Sequence, residues 1–328
     1  MVAAIFKVKK LQEKLNVIKK LIVASKESRT IALDFEILDT AGEGSFSKVY
    51  RVRNRLDGAL YAVKKNKKPM MNNSAQLDSL REVYSLAALQ SHPNIVRYYG
   101  AWLEGSRGGE YLCIQTEFFD QGTLAESHVE QGKAMAEDKL ILVCRDIGRA
   151  LQYMHSRGLV HLDVKPDNIF HGVRGFEAVF VLGDFGLTCR ADGSEGLKDG
   201  DSRYIAREAL RYVQNGTEEM AFHLESRDIF SLGATLYELA VGTPNAGSGD
   251  AWNRLRNNAQ DIEHTLRLRG LSKDAAGLIT LCLHKEASKR PSAKKLVKRT
   301  EEIMANNVEE LRRQLEMCRR RIRSLEAA

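Results

Sequence analysis

The sequence predicts an α+β chain in which a small sheet-rich lobe with one helix precedes a larger, mainly helical lobe, with helical extensions at both ends. Three observations predict it. From Asp34 to about Tyr111, short apolar runs alternate with turn residues around a single helical stretch near Asn73 to Leu89. From Gln121 to Thr300 helical periodicity dominates, with short strands near Asn168–Phe170 and Val179–Leu182. Residues 1–26 and 301–328 carry apolar side chains alternately three and four apart.

The first extension has the seam Val8, Leu11, Leu15, Ile18 and Ile22. Its lysines allow a membrane-surface helix or a targeting peptide without arginine. A helix packed on the domain or on a partner is the favoured reading. Residues 27–33 read as a linker. Asn73 and Gln76 form a candidate capping pair for the small-lobe helix. The last segment places Val308, Leu311, Leu315, Cys318, Ile322 and Leu325 at a and d positions of a coiled coil. Only about three heptads are present. This helix therefore calls for a partner surface: a second chain in self-association, the N-terminal seam, or the large lobe. The expected organisation is 1–33 as a basic extension and linker, 34–117 as the small lobe, 118–300 as the large lobe and 301–328 as the C-terminal helix.

Composition is that of an ordinary globular protein, with 43% hydrophobic and 28% charged residues in a chain of 328. The net charge of +7 is uneven: residues 1–33 carry +6, and residues 301–328 carry six Arg against six Glu. A nearly neutral middle argues against nucleic acid as a partner. The five cysteines are scattered, with no zinc spacing and no disulfide framework, which implies a reducing compartment. No apolar run is long enough to span a bilayer as a helix.

Three constellations carry chemistry. Gly42-Glu43-Gly44-Ser45-Phe46-Ser47-Lys48-Val49 is a glycine loop whose backbone amides can approach phosphate oxygens, although an ordinary hairpin reads the same way. Tyr61-Ala62-Val63-Lys64 ends a strand on a lysine suited to phosphate. Glu82, on the following helix, is the carboxylate to hold it. His161-Leu162-Asp163-Val164-Lys165-Pro166-Asp167-Asn168, followed by Gly183-Asp184-Phe185-Gly186, is the most specific pair. Asp163 is placed to accept a hydroxyl proton, Lys165 to add positive charge beside a transferred group, and Asn168 and Asp184 to give oxygen ligands to magnesium.

With these motifs residues 34–300 resemble the eukaryotic protein kinase domain. The resemblance implies the bilobal kinase fold, with an antiparallel sheet in the small lobe, and ATP and Mg2+ as cofactors. It makes Thr116 the gatekeeper, Glu117-Phe118-Phe119 the hinge that meets adenine, and Val49, Ala62 and Phe170 the walls around the ring. Leu86, Tyr98, His161 and Phe185 become packing residues, and Asp228 a support for the catalytic-loop backbone. Glu208, in Ala206-Arg207-Glu208, is implied to pair with Arg290 and brace the substrate platform.

Among kinases the chain resembles the Wee family of mitotic-inhibitor kinases. The residues that carry this are Arg55-Leu56-Asp57-Gly58-Ala59-Leu60, Tyr98-Tyr99-Gly100-Ala101-Trp102, His161-Leu162-Asp163 and Asp199-Gly200-Asp201-Ser202-Arg203-Tyr204. That family implies a nuclear enzyme and, as partner, a cyclin-dependent kinase whose glycine-loop tyrosine is the acceptor. Lys165, by contrast, follows a serine/threonine-kinase pattern. Two alternatives stand beside this reading. Kinases of a translation initiation factor share the Ala-Trp strand, but usually read His-Arg-Asp and carry a long insert where Leu103–Tyr111 is short. A pseudokinase scaffold is disfavoured by the intact set Lys64, Glu82, Asp163, Asn168 and Asp184. Leu162 stands where many kinases have an arginine that binds an activation-segment phosphate, so the segment is expected to order without one.

Overall fold

The computed structural model describes residues 30–70, 74–89, 91–106, 108–194, 197, 200–209 and 223–326. The expected N-terminal helix, the Asn73 cap and Asp199 lie outside them. The chain folds as two units, one running to residue 90 and resuming at 97–118, the other comprising 91–96 and everything from 119 on. Residues 91–96 join the second unit because their backbone pairs there: Val96 N–H donates to Leu182 O (2.9 Å) and Leu182 N–H to Asn94 O (2.9 Å).

The first unit opens with a helical turn, α1 (Ile31–Asp34), capped by the Thr30 hydroxyl, which accepts from Leu33 N–H. The sequence places these residues in a linker. Instead Ile31 is buried with Phe35, Val52, Val63, Trp102 and Cys113. Five antiparallel strands follow: β1 (Phe35–Glu43), β2 (Ser47–Asn54), β3 (Leu60–Asn66), β4 (Tyr98–Ser106) and β5 (Gly109–Glu117), in the order β1-β2-β3-β5-β4. The helix α2 (Ser74–Leu89) intervenes and buries Leu80, Val83, Leu86 and Leu89, one stripe at helical spacing.

The second unit is mainly helical. In α3 (Glu137–His155) Leu140, Val143, Cys144, Ile147, Ala150, Leu151 and Met154 recur three and four apart and are all buried. Two small two-stranded antiparallel sheets flank the catalytic candidates: β6 (Leu159–Val160) pairs with β9 (Cys189–Arg190), and β7 (Ile169–Arg174) forms a hairpin with β8 (Glu177–Leu182). The helix α4 (Leu224–Val241) is buried on nearly every face. There follow α5 (Gly249–Asn257), α6 (Ala259–Leu268), α7 (Lys273–Cys282) and α8 (Ala293–Glu326). The C-terminal helix is one 34-residue element. Ala293, Leu296, Val297, Thr300 and Ile303 root it in the core, whereas Val308, Leu311, Leu315, Cys318 and Ile322 are exposed. No helix among the described residues is long and apolar enough to cross a membrane.

Candidate active site

The first unit holds the nucleotide-facing candidates. β1 and β2 pair Gly42 with Val49 and Glu43 with Lys48, so residues 44–46 form the tip of a hairpin, with Ser45 and Phe46 exposed. A Cβ at Gly42 would meet no atom within 4 Å, and one at Gly44 only Ser47 O at 3.9 Å. Protein packing does not require glycine at either position, and a ligand approaching the backbone closely would. The Glu43 carboxylate is bound by Lys67 at 2.6 Å and Lys48 at 3.7 Å, which holds its pKa below the usual carboxylate range. In β3, Lys64 lies opposite Val49 on one side and Ile114 on the other, and Ala62 lies opposite Thr116. Lys64 Nζ donates to both oxygens of Glu82, at 2.8 and 2.9 Å. Glu117 and Phe118 follow Thr116, and Glu117 N–H donates to Arg97 O (2.9 Å).

The second unit holds the catalytic candidates. The Asp163 carboxylate accepts from Lys165 Nζ, 2.9 Å to the nearer oxygen, and from the Asn168 side-chain amide at 2.8 Å. The same amide nitrogen also donates to Asp163 O (2.8 Å). Burial pulls the Lys165 pKa down, but the charge and hydrogen bond of Asp163 outweigh it and hold the ammonium above its ordinary value.

Asp228, from α4, is fully buried and anchors this loop. Its carboxylate accepts from His161 N–H (2.9 Å) and Leu162 N–H (2.7 Å), and His155 Nε2 lies 2.8 Å away. These bonds keep Leu162 at φ 65°, a conformation unfavourable for a leucine. His161 donates from Nε2 to Gly183 O (3.1 Å) and accepts at Nδ1 from Asp163 N–H (3.2 Å), which fixes a neutral tautomer. Burial lowers its pKa, and its ring packs edge-on against Phe185. His161 is thus a packing residue.

Asp184 is exposed at φ 54°, the second left-handed residue that is not glycine, and its carboxylate accepts from Gly186 N–H (3.2 Å). Gly183 has a steric reason: a Cβ there would lie 2.6 Å from the Phe170 ring. The Phe170 ring also stacks on Phe119, with centroids 5.1 Å apart. Glu208 and Arg290 form a bidentate pair at 2.5 and 3.1 Å.

Sequence reasoning missed His155, Thr235, Trp252 and Arg256. Thr235 Oγ1 bonds Val164 O (3.4 Å) and Ser231 O (2.9 Å), and Arg256 and Trp252 reach the segment 202–205. No motif marks them, since each acts on a partner distant in sequence. The i,i+4 spacing of Trp252 and Arg256 on one helix is the only signal.

A lysine on β3 paired with a glutamate on α2 in the first unit, and a carboxylate held beside an ammonium in the second, are the kinds of group that phosphoryl transfer uses. The family model for the protein kinase domain matches residues 35–300, and the chain belongs to the protein kinase family. Among relatives, it is 34% identical over 315 residues to Wee1-like protein kinase 1-A of Xenopus laevis, covering 90% of this chain and 52% of that one. It is 36% identical over 266 residues to the Wee1-like protein kinase of Arabidopsis thaliana (80% and 49%) and 31% over 346 residues to that of Drosophila melanogaster (89% and 54%). The chain spans about half the length of these relatives.

Proposed function

We propose that this chain transfers the γ-phosphoryl group of ATP to a protein hydroxyl, and that the acceptor is the inhibitory tyrosine in the glycine loop of a cyclin-dependent kinase. This would take place in the nucleus and restrain entry into mitosis. The observation that carries the transfer is the Asp163 carboxylate, held by Lys165 and Asn168 with its backbone anchored through Asp228. Asp163 orients the acceptor hydroxyl and takes its proton. Lys165 sets positive charge beside the transferred group, and Lys64, braced by Glu82, binds phosphate oxygens.

The residues present fit magnesium. Asn168 commits its amide nitrogen to Asp163, which leaves its side-chain oxygen as one hard ligand, and the exposed Asp184 carboxylate would supply another. Bound there, the ion would neutralise charge on the phosphates. Gly42, Glu43, Gly44 and Ser45 would cover the phosphates. Val49, Ala62, Thr116, Glu117, Phe118, Phe119 and Phe170 would surround adenine.

The tyrosine acceptor is supported by the resemblance to the Wee family and the likeness to Wee1-like kinases. Lys165 favours a second reading, a serine/threonine kinase of the translation-factor type. Incubating the purified chain with ATP, magnesium and a catalytically inactive cyclin-dependent kinase, then mapping phosphosites by mass spectrometry, decides between them. Tyrosine modification is expected. Modification confined to serine or threonine overturns the acceptor, and no turnover on any protein overturns the transfer in favour of a binding scaffold.

A further inference from the structure

Arg256 on α5 is among the most deeply buried side chains in the described structure, at 1% exposure, yet no carboxylate among the described residues pairs with it at salt-bridge distance. A buried guanidinium without a counter-ion is costly unless every donor is met. Here backbone carbonyls meet them. Nε donates to Ile205 O (3.0 Å), and Nη2 to Ser202 O (3.0 Å), Arg203 O (3.0 Å) and Ile205 O (2.8 Å). Nη1 donates to Trp252 O (3.1 Å). The Trp252 ring lies 3.7 Å from the guanidinium carbon, and its Nε1–H donates to Ser202 O (2.9 Å). The remaining carbonyl of the stretch, Tyr204 O, accepts from Ser231 Oγ (3.0 Å). Burial lowers the Arg256 pKa to about 9, so it stays charged at neutral pH.

This stretch lies beside the catalytic loop. A Cβ on Gly200 would sit 2.6 Å from Leu162 O. On α4, Ser231 holds Tyr204 O and Thr235, one turn later, holds Val164 O, the residue after Asp163. One helical turn is about 5.4 Å. A protein whose hydroxyl reaches Asp163 therefore lies against residues 200–205. A second link ties α5 to the same region: Arg207 Nη1 donates to Asn257 Oδ1 (3.0 Å).

We propose that Arg256, supported by Trp252, is a positioning residue that fixes the backbone of residues 202–205 as the platform for the protein substrate, and so governs binding of that substrate and not of ATP. The inference rests on the kinase reading above. A lysine at 256 keeps the charge, but its three donors sit on one nitrogen and cannot reproduce the planar fork that serves four carbonyls from three nitrogens.

The test uses the full chain as wild type, Arg256→Lys and Trp252→Phe. Two quantities are read: steady-state KM for a catalytically inactive cyclin-dependent kinase and for ATP, and amide hydrogen exchange of the peptide containing Tyr204 and Ile205. For Arg256→Lys the protein KM is expected to rise at least tenfold while the ATP KM changes less than threefold, with faster exchange at 204–205. Trp252→Phe, which removes one hydrogen bond and keeps an aromatic ring, is expected to raise the protein KM by about a third of that factor. An unchanged protein KM, or protein and ATP KM rising together in both variants, overturns the inference. If the wild type does not act on the inactive kinase, the acceptor reading falls, and the exchange arm decides this one: unaltered exchange at 204–205 in Arg256→Lys overturns it.

Discussion

The glycine loop and the catalytic loop are built on opposite terms. At residues 42–46 the protein makes few demands: the space around Gly42 is open, and Phe46 at the tip is 80% exposed. At residues 161–168 nearly every polar group has a partner, and Leu162 is held in a left-handed conformation by a buried carboxylate 66 residues away. Residue identity in the first loop is not set by the protein's own packing. In the second it answers to the protein's own framework, which must hold Asp163 in place before any substrate arrives.

Substitutions can break that contrast. The largest effect belongs to Asp163→Asn, which keeps the shape but removes the proton acceptor. Turnover should fall roughly 10²–10⁴-fold while nucleotide still binds. Rapid-quench turnover beside nucleotide titration checks this, and near-normal turnover would refute the role given to Asp163. Asp228→Ala, at the buried carboxylate that anchors the loop before Asp163, should cost stability. It leaves two buried N–H groups without acceptors at about 1–3 kcal/mol each, so the urea midpoint should drop markedly with the slope unchanged.

A third test concerns the activation segment. Leu162 is buried with Val160, Cys189 and Leu224, and Leu187, Ala191 and Leu197 pack around them. Thr188 and Tyr204 are buried, and only Ser194 and Ser202 of the candidate acceptors there are exposed. Phosphatase-treated protein should keep its turnover within about twofold, the scatter of surface effects. A large loss restored by rephosphorylation would show that an arginine such as Arg97, Arg190 or Arg203 binds the phosphate in place of one at position 162. The smallest effect should come from Gly42→Ala: a melting temperature within about 1 °C of wild type but weaker ATP binding, read by calorimetry. An unchanged nucleotide affinity would sever this loop from phosphate.

The residues proposed for the chemistry were legible in the sequence because phosphoryl transfer needs particular functional groups at short, fixed spacings. Asp163, Lys165 and Asn168 lie within six residues, and the structure brings them together. The two strands that lead up to Asp184 and the single helix behind Lys64 were legible too, from periodicity, whereas the short strand Cys189–Arg190 after it was not. What holds the loops was less so. Asp228 came only through resemblance, and His155, Thr235 and Arg256 not at all, because burial and long-range pairing leave no local pattern. Arg207, in the segment Ala206-Arg207-Glu208, has a partner of its own in Asn257. Ile31, assigned to a linker, is part of a core whose other members lie up to 82 residues further on.

The cysteines have a practical consequence. Four of the five thiols are sealed in the interior, and burial raises that of Cys144 to about 12. Cys318 alone is exposed, on the stretch of α8 beyond its rooted first turns. Since alkylation needs an accessible thiolate, a maleimide dye or spin label should attach to the unmutated chain once, at a known place. Its quenching or broadening then reports whether a second helix comes to lie along Val308, Leu311, Leu315 and Ile322.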